Sequence, residues 1–171
     1  MSLVTTLRLP GARRDPFSRA MAWCASTRPG SKVFAVALPP LDRGLSRLTG
    51  GRATFTEVAA GLPTVYLTTR GARSGADRTV PLLGVPMGGD VVVVGSNWGG
   101  AKHPGWVHNL VASPAGRLTY RGREAAVEAR ELAGDEAEQA WALARATYRG
   151  YRLYPERTGG REIRLFRLTQ E

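Results

Sequence analysis

Between residues 62 and 94 the sequence advances in short β-branched runs broken by glycine turns, and that rhythm constrains the fold more than any other feature. Thr64-Val65-Tyr66-Leu67-Thr68-Thr69 is β-branched and aromatic, a composition suited to a pleated, half-buried surface. A glycine-bearing connection over residues 70–77 leads to a second strand near Arg78 to Val85. Gly88-Gly89-Asp90 turns the chain into Val91–Val94, four valines that read as a central strand. Pro104 opens a short helix that stops before Ser113-Pro114. Residues 117–121 and 124–132 read as a hairpin with a tight turn at Gly122-Arg123, and Ile163–Leu168 as a last strand.

Single helices separate these strands, too few for a parallel βαβ repeat. The order predicts an α+β fold, an antiparallel barrel of about six strands with helices closing its ends. The clearest helix begins at Gly134-Asp135. There Asp135 and Glu138 have capping-box spacing, and Ala137, Ala140, Trp141, Ala144 and Tyr148 share one face. Residues 1–54 form a basic N-terminal helical extension and residues 55–171 the barrel domain. Within the extension, residues 1–14 read as loose. Asp15-Pro16 reads as a helix start, followed by Phe17, Ala20, Met21 and Cys24 at helical spacing. Leu41, Leu45 and Leu48 mark a second short helix.

The chain's 171 residues fit one domain with its own core. A single cysteine, Cys24, excludes a disulfide framework and a multi-cysteine metal site, and fits a reducing compartment. With no leader pattern and no apolar run of spanning length, a cytoplasmic protein is expected. The net charge of +10 is uneven. Residues 1–54 hold nine basic residues against Asp15 and Asp42, which suggests an anionic partner and leaves peripheral membrane contact open.

Two loops and one cluster carry the functional signal. Arg70, Arg73 and Arg78 surround Gly71, Ser74 and Gly75. Glycine lets backbone amides approach a ligand, and the arginine fork matches phosphate and carboxylate oxygens. The spacing is not that of a P-loop, and a solvated hairpin loop explains the same residues. Ser96-Asn97-Trp98-Gly99-Gly100 leaves the valine strand with amides suited to a ring edge or a phosphate; a plain turn is the alternative. Tyr148, Tyr151 and Tyr154 follow at intervals of three, as a stacking surface, a source of protons or half-buried core. His103 and His108 lack a carboxylate neighbour and the HExxH pattern, so no metal site is expected. Nor do the tyrosines lie in a recognised nucleic-acid motif, and no nucleic-acid partner is expected.

These residues resemble the deazaflavin (F420)-dependent nitroreductase family. The likeness rests on Leu67-Thr68-Thr69-Arg70-Gly71-Ala72-Arg73-Ser74-Gly75, then Arg78 and Pro81-Leu82. It continues with Gly95-Ser96-Asn97-Trp98-Gly99-Gly100, His103-Pro104-Gly105-Trp106 and Asn109-Leu110-Val111-Ala112-Ser113-Pro114. The resemblance implies a six-stranded antiparallel split β-barrel, related to FMN-binding barrels, with flanking helices. It implies coenzyme F420, whose phosphate and glutamate tail are anionic. Arg73 and Arg78 would hold the phosphate or tail, with Arg70, Ser74 and Gly75 also binding the cofactor. Pro81 and the backbone near Ser96 and Asn97 would meet the deazaflavin head, Trp98 and Gly99 would also bind the cofactor, and Trp106 would pack at its side. Tyr148, Tyr151 and Tyr154 would line the acceptor side, with Tyr151 first in line as proton donor. The reaction implied is hydride transfer to a quinone, an enone or a nitroaromatic, by a monomer or homodimer. Several relatives carry Lys at the positions of Arg73 and Asn97, which bears on cofactor affinity. An FMN-using barrel and a non-catalytic F420 carrier are the alternative readings.

Overall fold

The computed structural model describes residues 2–11, Trp23 and 62–171. The helices expected from Asp15 and through Leu41 to Leu48, and the boundary at residues 54–55, lie outside the described residues.

Seven strands form one antiparallel sheet: β1 (Thr64–Arg70), β2 (Asp77–Leu83), β3 (Val85–Met87), β4 (Asp90–Val94), β5 (Ala115–Tyr120), β6 (Arg123–Glu131) and β7 (Leu165–Gln170). Their order is β2-β1-β5-β6-β7-β4-β3. The count exceeds the expected six because the strand read through Arg78 to Val85 breaks at Gly84. There the N–H of Gly84 donates to the Pro63 carbonyl at 2.9 Å. A Cβ at Gly84 would lie 3.2 Å from methyls of both Val65 and Val91, so the residue marks where the backbone passes close between two strands. β2 and β3 stand at opposite ends of the strand order, yet Gly84 alone separates them in sequence. The sheet therefore curls, and β2 approaches β4.

Alternation along the strands sorts the apolar residues between two cores. Val65, Leu67, Val91, Val93, Leu118, Val127, Phe166 and Leu168 face the inside of the curl. Val85, Val92, Val94 and Leu165 face outward beneath the helix that follows β6. The four valines are thus buried on both faces, which is why that run does not alternate with polar residues. The outer cover is α3 (Gly134–Thr147), whose Ala140 and Ala144 are fully buried. Its expected capping box does not form. Ala133 is the N-cap and makes no side-chain cap bond; Glu136, not Glu138, is engaged, by Arg130 and Arg167. Between β5 and β6, Arg121 and Gly122 take φ of 47° and 78°, the two left-handed residues of a tight hairpin turn.

Within the segment expected to be loose, residues 2–11 are ordered. Ser2 caps α1 (Leu3–Leu7) by accepting from the Thr5 N–H. Leu3 and Leu7 are wholly buried in the inner core, with Leu9 beside them. Val4 N–H donates to the Gly89 carbonyl, and the Thr6 hydroxyl donates to Gln170. α1 therefore closes the end of the curl that carries the β3–β4 turn. α2 (Gly105–Ala112) closes the other end with Trp106, Val107 and Leu110. Among the described residues no helix is long and apolar enough to cross a membrane.

Candidate active site

Every pairing is antiparallel, so directions alternate along the strand order. The C-terminal ends of β1 and β4 consequently meet at one end of the sheet, opposite α1. Both glycine-bearing loops leave from that end, and α2 joins them.

The first loop, residues 71–76, is closed by Gly71 N–H donating to Ala76 carbonyl and Gly75 N–H donating to Gly71 carbonyl. Arg70, Arg73, Ser74, Gly75 and Arg78 are all exposed there. Among the described residues no carboxylate pairs with any of the three arginines. Three unneutralised guanidinium groups on one turn attract anions, and each offers a planar pair of donors. Pro81 is exposed further along β2, opposite Tyr66 of β1. Asn109, to which the sequence assigned no role, ties this loop to α2. Its Oδ1 accepts from Ala72 N–H and its Nδ2 donates to Thr69 Oγ1, each at 3.0 Å.

The second loop, residues 95–103, contains a single 3-10 turn over Asn97–Gly99. Asn97 and Trp98 have φ of 47° and 56°, a left-handed conformation uncommon away from glycine. Asn97 is exposed, Ser96 and Trp98 are half-buried, and Gly99 is buried. Asn97 Nδ2 donates to the Lys102 carbonyl. Arg161 stands behind the loop and donates to the carbonyls of Gly95, Ser96 and Gly100. It too was missed, because its partners are backbone groups that leave no side-chain signature. Burial, with Arg161 and Arg164 close by, holds the His103 imidazole below its ordinary pKa. His103 and His108 meet edge to face.

The tyrosine cluster adjoins this loop. A Cβ on Gly99 would lie 3.4 Å from the Tyr154 ring and 3.0 Å from Arg157 Cβ. α3 ends at Tyr148, which is extended, and Gly150–Leu153 forms a separate turn, α4. The three rings pack edge to face or tilted, 5.2–6.2 Å apart. Tyr148 and Tyr154 share a hydroxyl–hydroxyl hydrogen bond of 3.1 Å, and Trp141 covers Tyr151. Burial pushes all three phenols above their ordinary range. Tyr151 is only 3% exposed, so its hydroxyl is not on an open surface.

The structure thus brings together the arginine turn and the Ser96–Gly99 loop at one end of the sheet, with Tyr154, 1% exposed, packed against the second loop from within. Trp106 is likewise buried. It is 4% exposed and packs edge-on against Phe166 in the inner core.

A family model described as F420H(2)-dependent quinone reductase matches residues 45–170. The chain belongs to that family. Membership makes it an F420-dependent reductase and implies F420 as cofactor or cosubstrate. A relative from Mycobacterium tuberculosis, Rv3178, provisionally named an F420H(2)-dependent quinone reductase, is 31% identical over 80 residues. That match spans 47% of this chain and 67% of the relative. Among solved structures, an F420-H2 dependent reductase, FDR-A, is 38% identical with a TM-score of 0.57, over 62% of this chain and 93% of that one. Another, described as a domain-swapped dimer, is 35% identical with a TM-score of 0.59, over 74% of this chain and 95% of its own. The site residues fit the cofactor's chemistry. Arg70, Arg73 and Arg78 could hold its anionic tail, and the Ser96–Gly99 backbone could meet its ring.

Proposed function

We propose that this F420-dependent reductase acts on a quinone from a split-barrel scaffold, and that the end of the sheet just described is its active site. The carrying observation is the close approach of Gly99 to the Tyr154 ring, which an added Cβ would meet at 3.4 Å, on the same end as the arginine turn. Arg73, Arg78 and Arg70 hold the phosphate and carboxylates of the cofactor tail through paired N–H donors. Ser74 and Gly75 shape the turn that presents them. Pro81 on β2 and the Ser96–Gly99 backbone orient the flat head, with Trp98 supporting the loop from its buried side. When bound, reduced F420 supplies a hydride. The tyrosine cluster backs the Ser96–Gly99 loop with its three rings at most 3% exposed, so a planar quinone reaches them by stacking only when the cluster opens. Donation of a proton by Tyr151 requires the cluster to open around its hydroxyl. Enones and nitroaromatics fit the same opened cluster as incidental acceptors.

A fluorescence titration with oxidised F420, run beside FMN, tests the reading. Saturable binding of F420 alone is expected, followed by oxidation of reduced F420 by a menaquinone analogue. Binding of FMN alone would place the chain with flavin-using barrels. Tight F420 binding without turnover of any quinone, enone or nitroaromatic would make it a carrier.

A further inference from the structure

Arg161 lies 58 to 66 residues from the loop groups it holds. Its Nη2 donates to Ser96 and Gly100 carbonyls, both at 2.8 Å, and its Nε to Gly100 at 3.0 Å. Nη1 donates to Gly95 at 3.1 Å and to the Glu162 carbonyl at 3.3 Å, with His103 Nδ1 also at 3.3 Å. A guanidinium offers five donors in a fixed plane, and here they reach carbonyls from both ends of the loop.

The consequence is directional. A trans peptide sets its N–H opposite its C=O, and no peptide among the described residues is cis. With the Ser96 carbonyl drawn to Arg161, the Asn97 N–H points away from it. With the Gly100 carbonyl drawn to Arg161, the Ala101 N–H does likewise. The Gly95 unit behaves differently, since the Ser96 N–H donates back to Val94. The left-handed pair Asn97-Trp98 lies between these units.

We propose that Arg161 is a positioning residue that turns the Gly95, Ser96 and Gly100 carbonyls inward, so that the Asn97 and Ala101 amides face outward to bind an acceptor-bearing edge of the cofactor. The ligand class is a planar carbonyl or anionic group, and the proposal rests on the F420 reading of this site. Lysine cannot substitute, because a single ammonium cannot span carbonyls at both ends of the loop.

The test compares wild type with Arg161→Lys by F420 titration and by amide hydrogen exchange and NMR shifts, read without and with F420. In the free variant the Asn97 and Ala101 amides are expected to shift and exchange faster, and its F420 affinity to fall about tenfold. A variant with a lower unfolding midpoint but unchanged affinity would reduce Arg161 to a structural role and overturn the proposal. So would unchanged Asn97 and Ala101 amides. Where Arg161→Lys does not fold, wild type decides alone: both amides must shift on F420 addition, and their silence overturns the proposal. Wild type that binds no F420 overturns the cofactor reading instead, and the free-protein amides then judge the clamp by themselves.

Discussion

Gly99→Ala puts the loop–tyrosine contact to a quantitative test. Gly99 has φ of +80°, where any Cβ costs about 1 kcal/mol. The new methyl would also sit 3.0 Å from Arg157 Cβ and 3.4 Å from the Tyr154 ring. Arg157 Cβ is fixed to the backbone and cannot swing aside as a side-chain tip would, so overpacking adds about 1 kcal/mol or more. A total of about 2 kcal/mol lowers the unfolding midpoint of a chain this size by roughly 4–8 °C. Gly122→Ala is the matched control. Its φ is +78°, and nothing lies within 4 Å of its would-be Cβ. It carries only the conformational cost and is expected to lose about half as much. Scanning fluorimetry of both variants measures the difference, and an F420 titration shows where it acts. Gly99→Ala is expected to weaken binding severalfold and Gly122→Ala to leave it unchanged. Equal midpoints and equal affinities for the two variants would refute the claim that Gly99 brings the loop against Tyr154 to build the site.

Leu7→Ala, at a wholly buried position of α1, should cost about 2–5 kcal/mol; a denaturation midpoint within error of wild type would show that α1 does not plug the curl. Arg73→Ala should reduce F420 affinity with no change in unfolding midpoint, since the side chain is exposed, and unchanged affinity would remove it from the site. Tyr151→Phe should lower turnover more than cofactor affinity if the cluster opens to use its hydroxyl; equal turnover would leave Tyr151 as packing alone. His103, held below its ordinary pKa of 6.5, favours the neutral ring in the folded state. The unfolded chain then binds more protons below about pH 6.5, so stability is fully present above that value and falls on acidification toward the lowered pKa. The slope should flatten in His103→Gln, as read from midpoints between pH 7 and 5.

Much of this architecture is legible in the residues. The β-branched runs and glycine turns fix strand positions because side-chain period and turn chemistry are local properties. The arginine turn, the Ser96–Gly99 loop and the tyrosines likewise announce themselves by residue type and order. Tyr151 and Trp106 show where that reading stops. Residue type does not reveal burial, and the fold leaves Tyr151 3% and Trp106 4% exposed.

The sequence by itself determined the antiparallel class, the two glycine-bearing loops and the hairpin near Gly122, though it set the turn at Gly122-Arg123 and the structure sets it one residue earlier, at Arg121-Gly122. Only the tertiary structure decided the rest. A five-residue helix has no stability alone, so α1 forms because the open end of the curl buries Leu3 and Leu7. The break at Gly84 exists because β1 and β4 close upon it. Arg161 owes its role to carbonyls that reach it only after the chain has folded, and every residue carries a carbonyl, so no pattern of side chains could have marked those three.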